Sequence, residues 1–180
     1  MTDAPSRPAR VRLVPYTDAD LWLTEALETD PTAMAELGGP ASLEDVRRIH
    51  RRRLELMEKG DAWNFKVVPE GGPGKRGEAP PVGSIIMWRS EWRGAPVTEA
   101  GWMILPAHQG KGYATAALQL LLDRARVDGR WGDIHAFPGV TNAASNALCR
   151  KFGFELVEVA EDDYRGHRMR FNHWVLRAPR

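Results

Sequence analysis

Length, composition and charge limit what this chain can be. Its 180 residues, 43% hydrophobic and 27% charged, can bury a substantial core in one domain. With 25 basic and 24 acidic residues the net charge is +1, which excludes a general electrostatic attraction to nucleic acid. The lone cysteine, Cys149, excludes an internal disulfide and is typical of a reducing compartment. No apolar run reaches about 18 residues and residues 1–10 lack the apolar centre of a signal peptide, so we expect a cytoplasmic protein that binds no membrane.

The N-terminal half predicts alternating strands and helices. In chain order these are a strand at 10–15, a helix from Thr17 or Asp18 to Leu27, a loop at 30–40, a helix from Ser42, and a hairpin of strands 63–68 and 82–88. Ser42, with Asp45 three residues later, is similar to a capping box. Residues 69–81 are mostly glycine, proline and charge, so they predict a mobile loop.

A run of arginines interrupts the apolar positions of the helix that begins at Ser42. Its members are Arg47, Arg48, Arg51, Arg52 and Arg53. Two interpretations remain open for this run: a solvated helix face, or a rim that attracts an acidic substrate or the phosphates of a cofactor.

The C-terminal half continues the alternation. It predicts a loop at 89–96, a strand at 97–105, a glycine turn, a helix at 114–129, a strand at 134–137, a helix from Asn142 or Ala143 to Phe152–Gly153, and strands 154–159 and 169–176 around an acidic loop. One sheet with helices on its faces accounts for this order, which predicts an α+β, or mixed α/β, fold.

The glycine turn is the most informative segment of the chain. An apolar strand runs to Leu105, Pro106 stops it, and a turn with Gly110 and Gly112 opens the next helix. The N–H groups at a helix N-terminus and the helix dipole favour an anion, and glycine lets a phosphate approach the main chain. Lys111 adds a cation. The turn therefore predicts a phosphate-binding site.

Other glycine loops do not fit this segment. A P-loop needs glycine where Leu105 stands and a Ser or Thr directly after Gly-Lys, where Gly112 stands, and a dinucleotide fingerprint needs a third glycine where Thr115 stands. In the segment 72–75, Gly-Lys is followed by Arg76, so it fails as well. An ordinary helix start is the alternative on these few residues alone.

Two blocks resemble the GNAT N-acetyltransferase superfamily. The first, residues 99–115 with Gln109-x-x-Gly112-x-Ala114, is similar to the central strand and acyl-CoA pyrophosphate loop of that family. The second, Asn142-x-x-Ser145 followed by the Gly-Phe at 153–154, is similar to its second signature.

The flanking sequence resembles one branch of that superfamily, the RimJ/RimL-like ribosomal-protein alanine acetyltransferases. The similar segments are 11–14, 30–31, 37–40 and 164–169. The likeness covers roughly residues 10–177, so we expect a single domain there and a flexible tail at residues 1–9.

The resemblance implies a fold and a cofactor. The fold has a central, twisted, mostly antiparallel sheet with helices on both faces, and its fourth and fifth strands splay apart to admit acetyl-CoA. The turn would bind the pyrophosphate, the fourth strand would pair with pantetheine, and the helix after the fifth strand would contact the pantetheine arm. The expected cofactor-binding residues are Met103, Ile104, Leu105, Gln109, Gly110, Lys111, Gly112, Tyr113, Ala114, Asn142 and Ser145.

The chemistry of acetyl transfer requires a base and an oxyanion donor, because a protonated amine cannot attack a thioester. The resemblance implies Glu99 as the base, with a bystander strand carboxylate as the alternative. It implies the main-chain N–H of Met103 as the oxyanion donor, since the strand of the family bulges nearby.

A third group must protonate the departing thiolate. Many relatives have a tyrosine seven residues after the asparagine, where this chain has Cys149. A thiol is a poor hydrogen-bond donor, so a buried helix cysteine is the alternative for Cys149. Ser145 matches the RimJ/RimL-like branch and is the better candidate, with a helix cap as its alternative.

The acceptor site is less well defined by the sequence. Trp88, Trp102, His135 and Phe137 are candidate substrate-binding residues, and the five histidines show no ligand spacing for a metal. We expect an acetyl-CoA-dependent N-acetyltransferase acting on a protein or peptide N-terminus or a small amine, without a nucleic-acid partner. A catalytically silent acyl-CoA-binding domain is the alternative, and the assembly is open between a monomer and a homodimer.

Overall fold

A single mixed sheet organises the computed structural model, which describes residues 9–35, 37–70, 79–164 and 166–179. Within those ranges its seven strands lie in the order β1-β2-β3-β4-β5-β7-β6. Their bounds are β1 Val11–Pro15, β2 Ala62–Pro69, β3 Gly83–Trp92, β4 Ala95–Ile104, β5 Ile134–Ala136, β6 Glu155–Tyr164 and β7 His167–Leu176. All neighbours are antiparallel except β4 and β5, which are parallel. The predicted mixed, mostly antiparallel sheet is confirmed.

Helices cover both faces of the sheet, as expected. Their bounds are α1 Leu21–Glu28, α2 Pro31–Met34, α3 Leu43–Glu58, α4 Tyr113–Asp128 and α5 Ala143–Lys151. Helices α4 and α5 bury Leu118, Leu121 and Leu148 in the main core. On the opposite face, Leu23 and Leu27 of α1 form a second, smaller apolar cluster. Within the described ranges, no helix is long and apolar enough to span a bilayer.

Local signals begin and end these helices. The Ser42 hydroxyl accepts a hydrogen bond from the Asp45 main-chain N–H (3.1 Å) and donates to the Asp45 carboxylate, which confirms the predicted start of α3. Asp30 caps α2 in the same way, inside the segment predicted as a loop. Gly129 ends α4 in the left-handed conformation (φ 75°), as predicted.

Two further predicted loops are wrong. Residues 89–96 were expected to form a loop, but β3 and β4 continue through them and turn only at Arg93 (φ 50°) and Gly94 (φ 78°). Positive φ at both central residues is the geometry of the tightest hairpin turns. The acidic segment between β6 and β7 also belongs to the strands, which pair from Glu155 to His167. Residues 1–8 of the predicted tail and 71–78 of the predicted mobile loop lie outside the described residues.

The arginine run divides between surface and interior. Its exposed members are Arg47, Arg48, Arg51 and Arg52. Arg53 instead donates to Glu28 on α1 (2.6 Å), and the Glu28 side chain is only 2% exposed. Four members of the run therefore form an exposed face, and the fifth makes an ion pair that joins α3 to α1.

The sheet opens between its two parallel strands. Only Thr98–Ile134 and Glu99–His135 pair across β4 and β5, although β4 continues to Ile104. The strands diverge beyond Glu99 and His135, which makes these two residues the apex of a V-shaped opening. This is the splay that the sequence resemblance predicted.

Candidate functional site

The two faces of β4 present different side chains to the two sides of the V. Alternation along the strand directs Ala100 and Ile104 into the main core, beneath α4 and α5. Glu99 and Met103 point to the opposite face, where Met103 packs against the cluster under α1. The V thus has an α4/α5 side and a Glu99 side.

On the α4/α5 side, the glycine turn delivers an open helix N-terminus. Gly110 (φ 72°) and Gly112 (φ 80°) adopt left-handed conformations that favour glycine, and Gly112 is the N-cap of α4. The first hydrogen bond of α4 joins the Ala116 N–H to the Gly112 carbonyl (3.0 Å). The N–H groups of residues 113–115 therefore have no intrahelical acceptor, and no side chain caps them. An anion is the natural partner for these donors.

The turn is held in place by its own side chains. Gln109 Nε2 donates to the Ile104 carbonyl (3.0 Å), and Lys111 Nζ donates to the Ala107 carbonyl (2.9 Å). A Cβ added to Gly110 would meet no atom within 4 Å, and one added to Gly112 would meet only the Ala9 side chain (3.5 Å), so the turn is open except at Ala9. Free donors, open space and a glycine surface fit the pyrophosphate group that the sequence resemblance implies.

The main chain of β4 differs from expectation at Met103. The β3–β4 ladder runs in one register from Gly83–Ile104 to Trp92–Ala95, without a bulge in those strands. The Leu105 N–H donates to the Val82 carbonyl (2.8 Å), so by alternation the Met103 N–H also points towards β3. The Ile104 main chain points into the V. The main-chain N–H on the V side of β4 is thus that of Ile104 rather than Met103.

Helix α5 contributes Asn142 and Ser145. The Asn142 carboxamide accepts the Ser145 main-chain N–H (3.0 Å), so Asn142 is the cap and Ser145 is not. The Ser145 hydroxyl instead accepts a hydrogen bond from the Trp102 indole N–H (3.2 Å). This contact joins α5 to β4 and places the Ser145 hydroxyl on the α4/α5 side of the V.

Cys149 is part of the core. It is fully buried, and burial raises the pKa of its thiol to about 12. The structure therefore favours the alternative of a packed helix cysteine over a proton donor.

On the other side of the V, Glu99 is an ionisable group with an unusual environment. Burial raises the pKa of its carboxyl to about 7, although a hydrogen bond from Ser90 opposes the shift. Trp88 is its cross-strand neighbour on β3 and covers Gly101, and His135 is its neighbour on β5. Two candidate substrate residues, Trp88 and His135, thus lie beside Glu99.

An aromatic–histidine cluster extends this side of the V towards β7. Its members are Trp92, His135, Phe137, Phe171 and His173. Phe137 and His173 stack with ring centroids 4.7 Å apart. Of the four candidate substrate residues, Trp88, His135 and Phe137 lie on this side, and Trp102 lies on the other.

Sequence reasoning missed Phe171, His173 and Glu158, which contacts His173. Phe171 and His173 alternate along β7, a signal that marks one strand face, but their meeting with His135 depends on the pairing of β5 with β7. Within the part of the chain that the structure describes, no three His, Cys, Asp or Glu side chains are grouped to hold a metal ion.

Comparison with known proteins identifies the family and the fold. The acetyltransferase (GNAT) domain family matches residues 10–155. The structure is similar to a Salmonella typhimurium acetyltransferase that modifies the N-terminal serine of ribosomal protein L7/L12, with 16% identity, a TM-score of 0.75 and coverage of 94% of this chain and 96% of the other.

Two further solved structures show the same fold. The spermidine N-acetyltransferase of Vibrio cholerae, in complex with CoA and spermine, has 16% identity, a TM-score of 0.73 and coverage of 93% and 95%. Mycobacterium smegmatis RimJ, in complex with CoA-disulfide, has 17% identity, a TM-score of 0.72 and coverage of 96% and 86%. No curated protein matches the sequence significantly.

Proposed function

Because this chain belongs to the acetyltransferase (GNAT) domain family, an acyltransferase class, we propose that it transfers the acetyl group of acetyl-CoA to a primary amine. One juxtaposition carries the proposal: an uncapped, glycine-lined helix N-terminus lies on one side of the V, and the half-buried carboxyl of Glu99, with a pKa of about 7, lies at its apex. The first suits a pyrophosphate, and the second suits a base that works at neutral pH.

Acetyl-CoA would supply an activated acetyl thioester. The turn from Gln109 to Ala114 binds the pyrophosphate through main-chain N–H groups, with Gly112 at the helix start. In the edge of β4 from Met103 to Leu105, the Ile104 carbonyl faces the V and accepts from the pantetheine arm, which Asn142 also contacts. The Ile104 N–H donates to the oxyanion that forms as the amine attacks.

Glu99 acts as the general base. A carboxyl of ordinary pKa is a weak proton acceptor, and the raised pKa of Glu99 brings it close to the operating pH, where general-base catalysis is most effective. Ser145 passes a proton to the departing thiolate and regains one of the two protons that the amine nitrogen loses, so its hydroxyl ends the turnover neutral. The hydroxyl lies on the α4/α5 side of the V, while Cys149 is packed in the core.

The acceptor amine enters on the Glu99 side, beside Trp88, His135 and Phe137. Solved structures with this fold include proteins described as acting on a protein N-terminus or on spermidine. Both acceptor classes are therefore candidates for this chain. We place the reaction in the cytoplasm.

Release of free thiol from acetyl-CoA, measured over a panel of peptides, polyamines and small amines, tests the proposal. We expect acceptor-dependent thiol release with one class and binding of acetyl-CoA by calorimetry. Binding without turnover on any amine would establish the silent acyl-CoA-binding alternative. Absence of binding would contradict both.

A further inference from the structure

Acetyl transfer to an ammonium releases one net proton. The ammonium first loses a proton to become a nucleophile, the C–N bond then forms as the thioester C–S bond breaks, and the nitrogen loses a second proton. One proton returns to the thiolate, so one must leave the site in every turnover. This premise rests on the proposed function, and it raises the question of where that proton goes from Glu99.

A chain of ionisable side chains begins beside Glu99 and ends near the surface. His135 is paired with Glu99 across the parallel strands, and neighbouring strands lie about 4.8 Å apart with paired side chains on one face. His135 Nδ1 lies 2.8 Å from His173 Nε2, and His173 Nδ1 lies 3.4 Å from Glu158 Oε1. Glu158 contacts the exposed Arg93 (2.9 Å). His173 itself is buried.

The carboxylate at the end of the chain fixes the direction of its hydrogen bonds. An ionised Glu158 only accepts, so His173 Nδ1 carries the proton and His173 Nε2 is free to accept. His135 Nδ1 then donates to His173 Nε2. Because a neutral imidazole carries one proton, His135 Nε2 is left as an acceptor on the edge of the ring away from His173.

We propose that His135, His173 and Glu158 form a proton relay that carries the net proton of each turnover from the site of Glu99 to solvent. A proton arrives at His135 Nε2, the Nδ1 proton of His135 passes to His173 Nε2, and the Nδ1 proton of His173 passes to Glu158. Glu158 releases a proton to water. The rings return to their first tautomers by reorientation or exchange between turnovers.

The charges around both rings suit this role. Burial, and then the neighbouring His173, lower the pKa of His135, while Asp133 opposes the shift and Arg177 adds to it. Burial also lowers the pKa of His173 against the opposing effect of Glu158, with Arg93 and Arg177 contributing in the direction of burial. Both rings are therefore neutral at pH 7, each with one proton to give and one lone pair to receive.

Two variants remove proton transfer while they preserve packing. His173→Phe keeps a ring that stacks on Phe137 and Trp92, and His135→Gln keeps a donor for His173 but cannot accept a proton at neutral pH. His167→Gln is the matched control, because His167 is an exposed histidine at the start of the same strand β7. Melting temperatures of all three identify any folding defect.

The test compares kcat of the four proteins in a poorly buffering medium from neutral to alkaline pH, with and without added imidazole. The kcat of His173→Phe and of His135→Gln should fall by roughly tenfold or more at neutral pH. This is less than the 10²–10⁴-fold effect of removing a general acid or base, because only the onward transfer of the proton is lost. The loss should shrink at alkaline pH, where hydroxide accepts the proton, and imidazole should restore kcat. The control should match the parent protein.

NMR of the histidine nitrogens provides a readout that is independent of turnover. The Nδ1–H tautomer at both His135 and His173 supports the relay, and an Nε2–H tautomer at His135 overturns it. A loss of kcat that is equal at every pH and insensitive to imidazole shows a structural role and also overturns it. If the parent protein turns over and the variants equal it, the relay alone fails. If the parent protein shows no turnover with any amine, the proposed function fails. The relay then fails with it, because no net proton is released.

Discussion

Glu99 and Cys149 are changed by the same physical effect with opposite consequences for chemistry. Loss of hydration disfavours the charged form of both acids and raises the pKa of Glu99 to about 7 and that of Cys149 to about 12. The carboxyl thereby becomes an effective base at neutral pH, while the thiol becomes inert. Ser145 escapes this effect because a hydroxyl stays neutral, and its hydrogen bond to Trp102 holds it in place.

Replacing Glu99 by Gln tests the base. We expect the rate to fall by roughly 10²- to 10⁴-fold at neutral pH while the affinity for CoA is retained. Glu99 is deprotonated above a pH of about 7, so the parent rate should rise as the pH passes through that value and the variant should lack this step. The difference should narrow at high pH, where the amine deprotonates without help. An unchanged rate at neutral pH would make Glu99 a bystander.

Alanine variants of Ser145 and Cys149 separate chemistry from packing. Ser145→Ala should slow acetyl transfer at nearly constant stability. Cys149→Ala should leave the rate close to normal and lower the free energy of unfolding by about 1 kcal/mol, because it removes a buried sulfur from the core. Thermal denaturation and thiol release measure the two effects. If Cys149→Ala instead releases no thiol and keeps a normal melting temperature, the Cys149 thiol takes part in catalysis.

At the scale of elements, helix α4 has the same residue type at both ends for different reasons. Gly112 and Gly129 have nearly equal φ angles, 80° and 75°, so both avoid the strain that a side chain would suffer. Only Gly112 lies at the positive end of the helix, where the helix dipole favours an anion. The sequence predicted both ends, because helix caps depend on a few contiguous residues.

Gly112→Asp and Gly129→Asp form a matched pair for the cofactor site. Both changes place a side chain and a carboxylate on a left-handed glycine of α4, so both should lower stability. Only Gly112→Asp should abolish the rise in melting temperature that acetyl-CoA produces, because its carboxylate repels the pyrophosphate. Equal ligand-induced shifts in the two variants would exclude the turn as the binding site.

At the scale of the whole molecule, a buried ion pair fixes α1 to the sheet on the Glu99 side. Asp20, before α1, accepts from Lys66 Nζ on β2 (2.9 Å) and from the Thr17 main-chain N–H (2.7 Å). Burial raises the pKa of the Asp20 carboxyl, but the hydrogen bonds from Lys66 and Thr17 outweigh burial and hold its pKa below the ordinary value. This arrangement joins α1 to the sheet that carries Glu99.

Asp20→Asn should lower the free energy of unfolding by about 1–3 kcal/mol at neutral pH. A depressed pKa in the folded state contributes stability above the pKa of the unfolded state, about 3.9, and the contribution is lost as the pH falls through the folded value. The difference in free energy of unfolding between variant and parent should therefore disappear at acidic pH. Denaturation at several pH values measures this difference. Asp18→Asn changes an exposed residue of the same turn and is the control. A gap that is constant with pH would contradict the ionic contribution.

The sequence by itself determined the local elements and the family. The glycine turn, the Ser42 cap, the alternating strands and the two signature blocks are properties of contiguous residues, so their backbone preferences are readable without a fold. The wrong prediction of a loop at 89–96 shows where local composition fails. These residues form strands because β3 and β4 pair with each other there.

Only the tertiary structure decided the chemistry of the site. The raised pKa of Glu99 comes from burial, the direction of the Met103 N–H comes from the register of β3 against β4, and the contact of His135 with His173 comes from the pairing of β5 with β7. Each depends on residues distant in the chain. Dehydration and strand register are properties of the assembled sheet, and no short stretch of sequence encodes them.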